Sequence, residues 1–193
     1  TSRYDPNPTL ENHPLAAVAA ARGVDPIDLA LDMAIETGLH SRIRFGFLNH
    51  NEAGIEELIT NEHTVITLSD AGAHADQLCD ACYGTHLLGY WVRDKGVMSL
   101  PRAIHALTQR PAQLVGLADR GLLAVGRPAD VLVLDPTAVG AGPLRRVQDL
   151  PGGGERLICD ATGIDAVLVN GVVLRHNGQD QVGDHKLPGK LLR

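Results

Sequence analysis

Residues 65–75, VITLSDAGAHA, place a carboxylate and an imidazole where an apolar run stops. The run is aliphatic or β-branched, as in a strand that helices cover on both faces. Asp70 follows it, and Gly72 allows a tight turn there. Because sites of α/β sheets and barrels form at the carboxyl ends of parallel strands, we expect Asp70 at such an end, facing a cleft. The alternative is an Asp that caps the next turn.

The segments before this run complete a strand–helix–strand unit. RIRFGFL, residues 42–48, alternates well enough to be a strand. Asn51 then caps a predicted helix over residues 52–60, with Ile55, Leu58 and Ile59 facing inward. Residues 63–69 follow as the second strand. The order predicts a right-handed parallel crossover.

Further helices are predicted on either side of this unit. Residues 15–22, LAAVAAAR, form a helix that Gly23 stops. A second helix starts after Asp25 as N-cap with Pro26 in its first turn, and ends at Gly38. Its predicted inward face consists of Ile27, Leu31, Ala34 and Ile35. Residues 83–96 and 99–117 predict two more helices, and Pro111 must kink or split the last.

The pattern changes to antiparallel β structure at Gly121. Short apolar runs flank a Gly-Arg-Pro turn, and Asn170-Gly171 joins two runs as in a type I′ hairpin. The stretch between them, residues 135–157, is rich in Gly and Pro and predicts a long surface loop.

Composition excludes several classes of protein. The chain has 193 residues, enough for one domain or two small ones, with 44% hydrophobic residues, a net charge of -6 and pI of about 5.8. No basic run favours a nucleic-acid partner, and no apolar stretch has the length of a membrane span. Three cysteines, an odd number, favour a reducing cytoplasm.

The metal-ligating residues are scattered. Cys79 and Cys82 form a CxxC, but the remaining cysteine, Cys159, is far away, so we expect no structural metal at the pair. Nine histidines include no HxH or HExxH. His74 is distinguished by lying four residues after Asp70; the alternative is a loop histidine without a role.

Four stretches resemble the C-terminal part of the N-acyl-D-amino-acid deacylases, the D-aminoacylase branch of the metal-dependent amidohydrolases. They are residues 22–39, residues 67–75 with TLSDAGAHA, residues 90–136, and residues 163–178. The resemblance implies the last βα units of a (β/α)8 barrel over residues 1–118. Part of a small antiparallel β-sandwich, with a tail, would follow over residues 119–193.

The resemblance also implies a mechanism and a site. A zinc ion would polarise the amide carbonyl and acidify a water molecule. Asp70 matches the family's strand-8 aspartate, which is the general acid/base and a metal ligand. Ser69, Gly72 and His74 would bind the substrate, an N-acyl-D-amino acid or a related amide.

The family's other metal ligands match no histidine here and would lie before Thr1. We therefore expect the chain alone to be inactive, and to need the N-terminal part of the same enzyme or self-association. Two alternatives stay open. One is an amidohydrolase that acts on cyclic amides or other C–N bonds. The other is a non-catalytic fragment that folds by docking on a partner chain.

Overall fold

The computed structural model describes residues 13–44, 46, 48–72, 74–183 and 187–192. The chain divides into two compact units, residues 1–55 and 56–193. The domains predicted above, 1–118 and 119–193, remain a prediction. No helix in the described ranges is long and apolar enough to cross a membrane.

The first unit contains two of the predicted helices, α1 (Leu15–Arg22) and α2 (Pro26–Glu36). Gly23 ends α1 with a left-handed φ of 67°. Asp25 caps α2, since its carboxylate accepts a hydrogen bond from the Ile27 backbone N–H at 2.7 Å. Both helix boundaries were therefore predictable from local chemistry.

The predicted inward face of α2 is wrong. The helix buries Leu29 and Met33, which pack with Ala19 of α1. Ile27 and Ile35 remain 70% and 76% exposed. The helix carries two apolar stripes, and α1 covers only one of them.

Further helices follow along the chain, the first of them crossing the boundary between the units at residue 55. They are α3 (Glu52–Thr60), α4 (Tyr83–His86) with a π-helical continuation (Leu87–Asp94), α5 (Leu100–Leu107) and α6 (Gln109–Leu114). In α3, Ile55 and Ile59 are half-buried as expected, but Leu58 is 55% exposed. The split between α5 and α6 was predicted: Pro111 crowds the carbonyl of Leu107, where α5 ends.

The two strands predicted at residues 42–48 and 63–69 are absent from the described part of these segments. Arg42 makes an isolated bridge, and residues 64–70 belong to no sheet. A parallel strand needs neighbouring strands to complete its hydrogen bonds. The strands described here pair antiparallel with one another and leave none for these segments.

Antiparallel pairing dominates the C-terminal part, as predicted. One sheet has the order β1 (Val131–Leu134), β4 (Ile164–Val169), β5 (Val172–His176), β6 (Gln179–Asp180). Asn170 and Gly171 both have positive φ, 47° and 80°, between β4 and β5. This is the conformation that a type I′ turn requires.

The long loop predicted at residues 135–157 is wrong. Its middle forms β2 (Gly140–Leu150), which pairs with β3 (Gly154–Thr162) in a two-stranded ribbon. Ion pairs connect the two strands: Arg145–Asp160 at 2.8 Å, Arg146–Glu155 at 3.2 Å and Arg156–Asp149 at 2.7 Å. Pro151, Gly152 and Gly153 form the turn, whereas Gly142 and Pro143 lie within β2 where its register with β3 shifts, so composition alone misled the prediction.

Candidate functional site

Asp70 lies at the start of a turn with unusual backbone geometry. Asp70 and His74 both have a φ of 52°, and Gly72 between them has a φ of 97°. Left-handed backbone is uncommon for residues other than glycine, and such residues occur often at functional sites. The predicted parallel strand does not precede Asp70, but the predicted turn is present.

Local hydrogen bonds hold this turn. The Ser69 hydroxyl accepts a hydrogen bond from the Ala71 backbone N–H at 3.2 Å. The His74 carbonyl accepts from the N–H groups of Gln77 and Leu78, at 2.7 and 3.0 Å. Ser69 and His74 therefore both contribute to the shape of the turn that carries Asp70.

A longer-range hydrogen bond connects the turn to the ribbon. The Leu157 N–H on β3 donates to the Ala75 carbonyl at 2.8 Å. The segment following Asp70 is thus fixed against a strand, although it is not part of a strand itself.

The turn presents a carboxylate and an imidazole to solvent, because Asp70 and His74 are both exposed. These groups can accept and donate protons or bind a cation. A described cavity of about 280 Å³ lies elsewhere, between α6 and the segment after it. Neither Asp70 nor His74 lines it, and the cleft in front of Asp70 stays a prediction.

No group of three or more His, Cys, Asp or Glu residues within the described ranges is arranged to hold a metal ion. Cys79 and Cys82 carry free thiols. The metal role predicted for Asp70 therefore rests on the family resemblance and remains a prediction.

One pair of chemically active side chains was missed by sequence reasoning. The thiol of Cys82 is influenced electrostatically by Cys159, which lies far away in the sequence. Burial, and then the influence of Cys159, raise the pKa of Cys82 to about 11. No signal in the sequence could have found the pair, since the pairing of β2 with β3 brings Cys159 into place.

Comparison with known proteins shows to which family the chain belongs. The model of the amidohydrolase family matches residues 3–175. An N-acyl-D-glutamate deacylase of Alcaligenes xylosoxydans xylosoxydans is 38% identical over 109 residues, which is 56% of this chain and 20% of the relative. A D-aminoacylase of the same organism is 29% identical over 173 residues, covering 86% of this chain and 31% of the relative.

Solved structures of deacylases are also similar to this chain. A D-aminoacylase with a binuclear metal centre aligns at a TM-score of 0.55 and 25% identity, over 91% of this chain and 34% of the other. An N-acyl-D-glutamate deacylase from Bordetella bronchiseptica, complexed with zinc and a phosphonate inhibitor, aligns at a TM-score of 0.52 and 26% identity. That alignment covers 88% of this chain and 32% of the other.

The chain thus spans between a fifth and about a third of the length of these relatives. The family match nevertheless extends over nearly the whole of the chain, from its helices into β5. The chain belongs to the amidohydrolase family.

Proposed function

We propose that this chain is part of an enzyme that hydrolyses the amide bond of N-acyl-D-amino acids. The observation that carries the proposal is the family match over residues 3–175 together with two curated deacylases of N-acyl-D-amino acids among the relatives. Within the family fold, the chain would supply the last βα units of a (β/α)8 barrel and part of a small β-sandwich. Its mixed helix and sheet content is compatible with that assignment.

Asp70 is the proposed general acid/base. Its exposed carboxylate can take a proton from a water molecule as the water oxygen bonds to the amide carbon. The same proton then passes to the amide nitrogen, so that the C–N bond breaks and the amine leaves neutral. The products are a carboxylic acid and a free D-amino acid, and Asp70 returns to its starting state.

Ser69, Gly72 and His74 are the proposed substrate-binding residues. Gly72 has open space where a Cβ would lie, so a substrate could approach its backbone closely. The Ser69 hydroxyl and the His74 imidazole can form hydrogen bonds with an acyl or carboxylate oxygen. Their role is to orient the amide relative to Asp70.

Zinc is the metal that the family resemblance implies, and it would polarise the scissile carbonyl. The residues described here do not fit it by themselves, since no three potential ligands converge. We therefore assign Asp70 as one ligand and derive no reaction step through the metal. Other ligands would come from an N-terminal part of the same enzyme or from a second copy of the chain. The proposed location of the enzyme is the cytoplasm.

A substrate panel tests the proposal. The protein encoded by the complete reading frame, supplied with Zn²⁺, is assayed on N-acetyl-D-amino acids, their L-isomers and cyclic amides, and the released amine is quantified. We expect turnover of the D-isomers to exceed that of the L-isomers and cyclic amides. Preferential opening of cyclic amides would favour the alternative amidohydrolase, and no hydrolysis of any substrate would favour a non-catalytic role.

The 193 residues alone provide the matched comparison. We expect them to release no amine under the same conditions, because the described residues form no metal cage. Turnover by this chain alone, at a protein concentration where it is monomeric, would show that the ligand assignment is wrong.

A further inference from the structure

The chain contains two Asn-Gly dipeptides, and each forms the turn of a β-hairpin. Asn170-Gly171 joins β4 to β5, and Asn177-Gly178 joins β5 to β6. All four residues have positive φ, with 47° and 80° in the first turn and 49° and 77° in the second. The two turns therefore share their residues and their left-handed backbone, and they differ in what surrounds them.

Hydrogen bonds tie the first turn to neighbouring segments of the chain. The Asn170 side-chain amide donates to the Pro188 carbonyl at 2.7 Å, and the Asn170 backbone N–H donates to the Asp130 carboxylate at 2.8 Å. The Gly171 N–H donates to the Ala129 carbonyl at 2.9 Å. Opening this half-buried turn therefore breaks contacts with two other parts of the chain.

The second turn has fewer ties and lies at the edge of the sheet. Asn177 is exposed, and its backbone N–H donates to the Asp165 carbonyl at 2.8 Å. Within the described residues, neither its side-chain amide nor the Gly178 N–H makes a hydrogen bond. The strand that follows, β6, spans only Gln179–Asp180 and ends the strand order of the sheet. Local opening therefore breaks fewer contacts here than at the first turn.

We propose that Asn177 is a site of spontaneous deamidation in the folded protein, and that Asn170 is protected from the same reaction. Glycine after asparagine favours this reaction, because no side chain hinders the approach of its backbone nitrogen. The nitrogen must also be free of a hydrogen bond, and the turn must open far enough for it to reach the side-chain carbon. Both requirements favour the second turn over the first. The site is independent of the function proposed for Asp70.

The chemistry balances with water as the co-reactant. The Gly178 nitrogen bonds to the Asn177 Cγ, the Cγ–Nδ2 bond breaks, and the leaving nitrogen takes the Gly178 amide proton and departs as ammonia. A cyclic succinimide remains, and water adds to one of its two carbonyl carbons and breaks the bond from that carbon to nitrogen. Addition at Cγ gives aspartate, and addition at the backbone carbonyl carbon gives isoaspartate, whose chain runs through Cγ. No electrons are transferred, and either product places a new carboxylate at the turn.

Peptide mapping of the full chain tests the proposal. The protein is kept in mildly alkaline buffer, sampled over time and digested briefly with trypsin, and the peptides are separated and sequenced by mass spectrometry. Cleavage after Arg156, Arg175 and Lys186 places the two asparagines in separate peptides, neither of which contains another asparagine. We expect deamidation at Asn177 to be about tenfold or more faster than at Asn170, with isoaspartate among its products.

The unfolded protein is the matched control. In urea the hydrogen bonds of both turns are lost, so the two dipeptides should react at similar rates. Gly178→Ala should slow the reaction at Asn177 in buffer and in urea alike, because its methyl group hinders the nitrogen whether or not the variant folds. Equal rates at the two sites in folded protein, the same difference in urea, or aspartate without isoaspartate at Asn177 would each overturn the proposal.

Discussion

The π-helical segment touches the ribbon backbone at Gly89, where a Cβ would lie 2.7 Å from the Val139 carbonyl oxygen and 2.9 Å from Gly140 Cα. The same carbonyl oxygen accepts a hydrogen bond from the Arg93 guanidinium at 2.6 Å. The helix and β2 therefore meet over a residue without a side chain, and Arg93 closes the contact from the next turn.

We predict that Gly89→Ala lowers the free energy of unfolding by about 1–3 kcal/mol, because the added methyl group must push backbone away. Gly84→Ala is the matched control in the same helix, since its nearest neighbour would be the Leu107 side chain at an ordinary 4.0 Å. We expect Gly84→Ala to leave the free energy of unfolding unchanged or to raise it by up to about 1 kcal/mol, because alanine has a higher helix propensity than glycine. The free energy of unfolding of both variants is measured by urea titration. Equal values for the two variants would contradict the close contact at Gly89.

Because α2 buries a different face from the one predicted, truncation of Met33 and truncation of Ile35 should have different effects on the free energy of unfolding. Met33 is 1% exposed and Ile35 is 76% exposed. Met33→Ala should therefore cost about 2–5 kcal/mol, whereas Ile35→Ala should change the free energy of unfolding by about 0.5 kcal/mol or less. Urea titration followed by circular dichroism measures both. A larger loss for Ile35→Ala would restore the face predicted from the sequence.

The environment of Cys82 predicts its reactivity with pH. Burial, Cys159 and the Asp80 charge favour the protonated thiol and raise its pKa from 9.0 to about 11. At pH 8 the thiolate should therefore be about a hundredfold scarcer than in an ordinary cysteine, and alkylation correspondingly slow. Iodoacetamide labelling of the Cys79→Ser variant, measured at Cys82 between about pH 7 and pH 11, tests this.

Removal of Cys159 is the control for that measurement. In Cys79→Ser, Cys159→Ala, the pKa of Cys82 should fall, because one of its causes is gone while burial remains. Alkylation at pH 8 should then be faster than in Cys79→Ser. Half-maximal labelling near pH 9 in both variants would contradict the raised pKa of Cys82.

Local chemistry made some elements predictable. The Asp25 carboxylate with Pro26 fixed the start of α2, and Asn170-Gly171 fixed the turn between β4 and β5. Each depends on a few adjacent residues, whose preferences act without tertiary partners. Features that require a distant partner were missed, such as the ribbon pairing of β2 with β3 and the influence of Cys159 on Cys82.

At the candidate site, too, the local feature was predictable and the feature that needs a distant partner was not. The turn at Gly72 was predictable, because a glycine after Ser-Asp favours positive φ. The strand before Asp70 was predicted from its apolar run, and the described residues offer it no neighbouring strand. An apolar run indicates that its burial is favourable, but it does not indicate which other segment of the fold will cover it.

The general acid/base assigned to Asp70 is the central claim. Asp70→Asn keeps the size of the side chain but can no longer accept a proton from water. Asp76, an exposed carboxylate in the same turn region, is the matched control. Asp76→Asn removes an equal charge nearby without touching the proposed chemistry.

The most direct measurement is kcat for an N-acetyl-D-amino acid in the protein encoded by the complete reading frame, with Zn²⁺ supplied. The account predicts that Asp70→Asn lowers kcat by about 10² or more, while Asp76→Asn changes it by less than about twofold. Wild-type kcat in a folded Asp70→Asn variant, or equal losses in both variants, would contradict it.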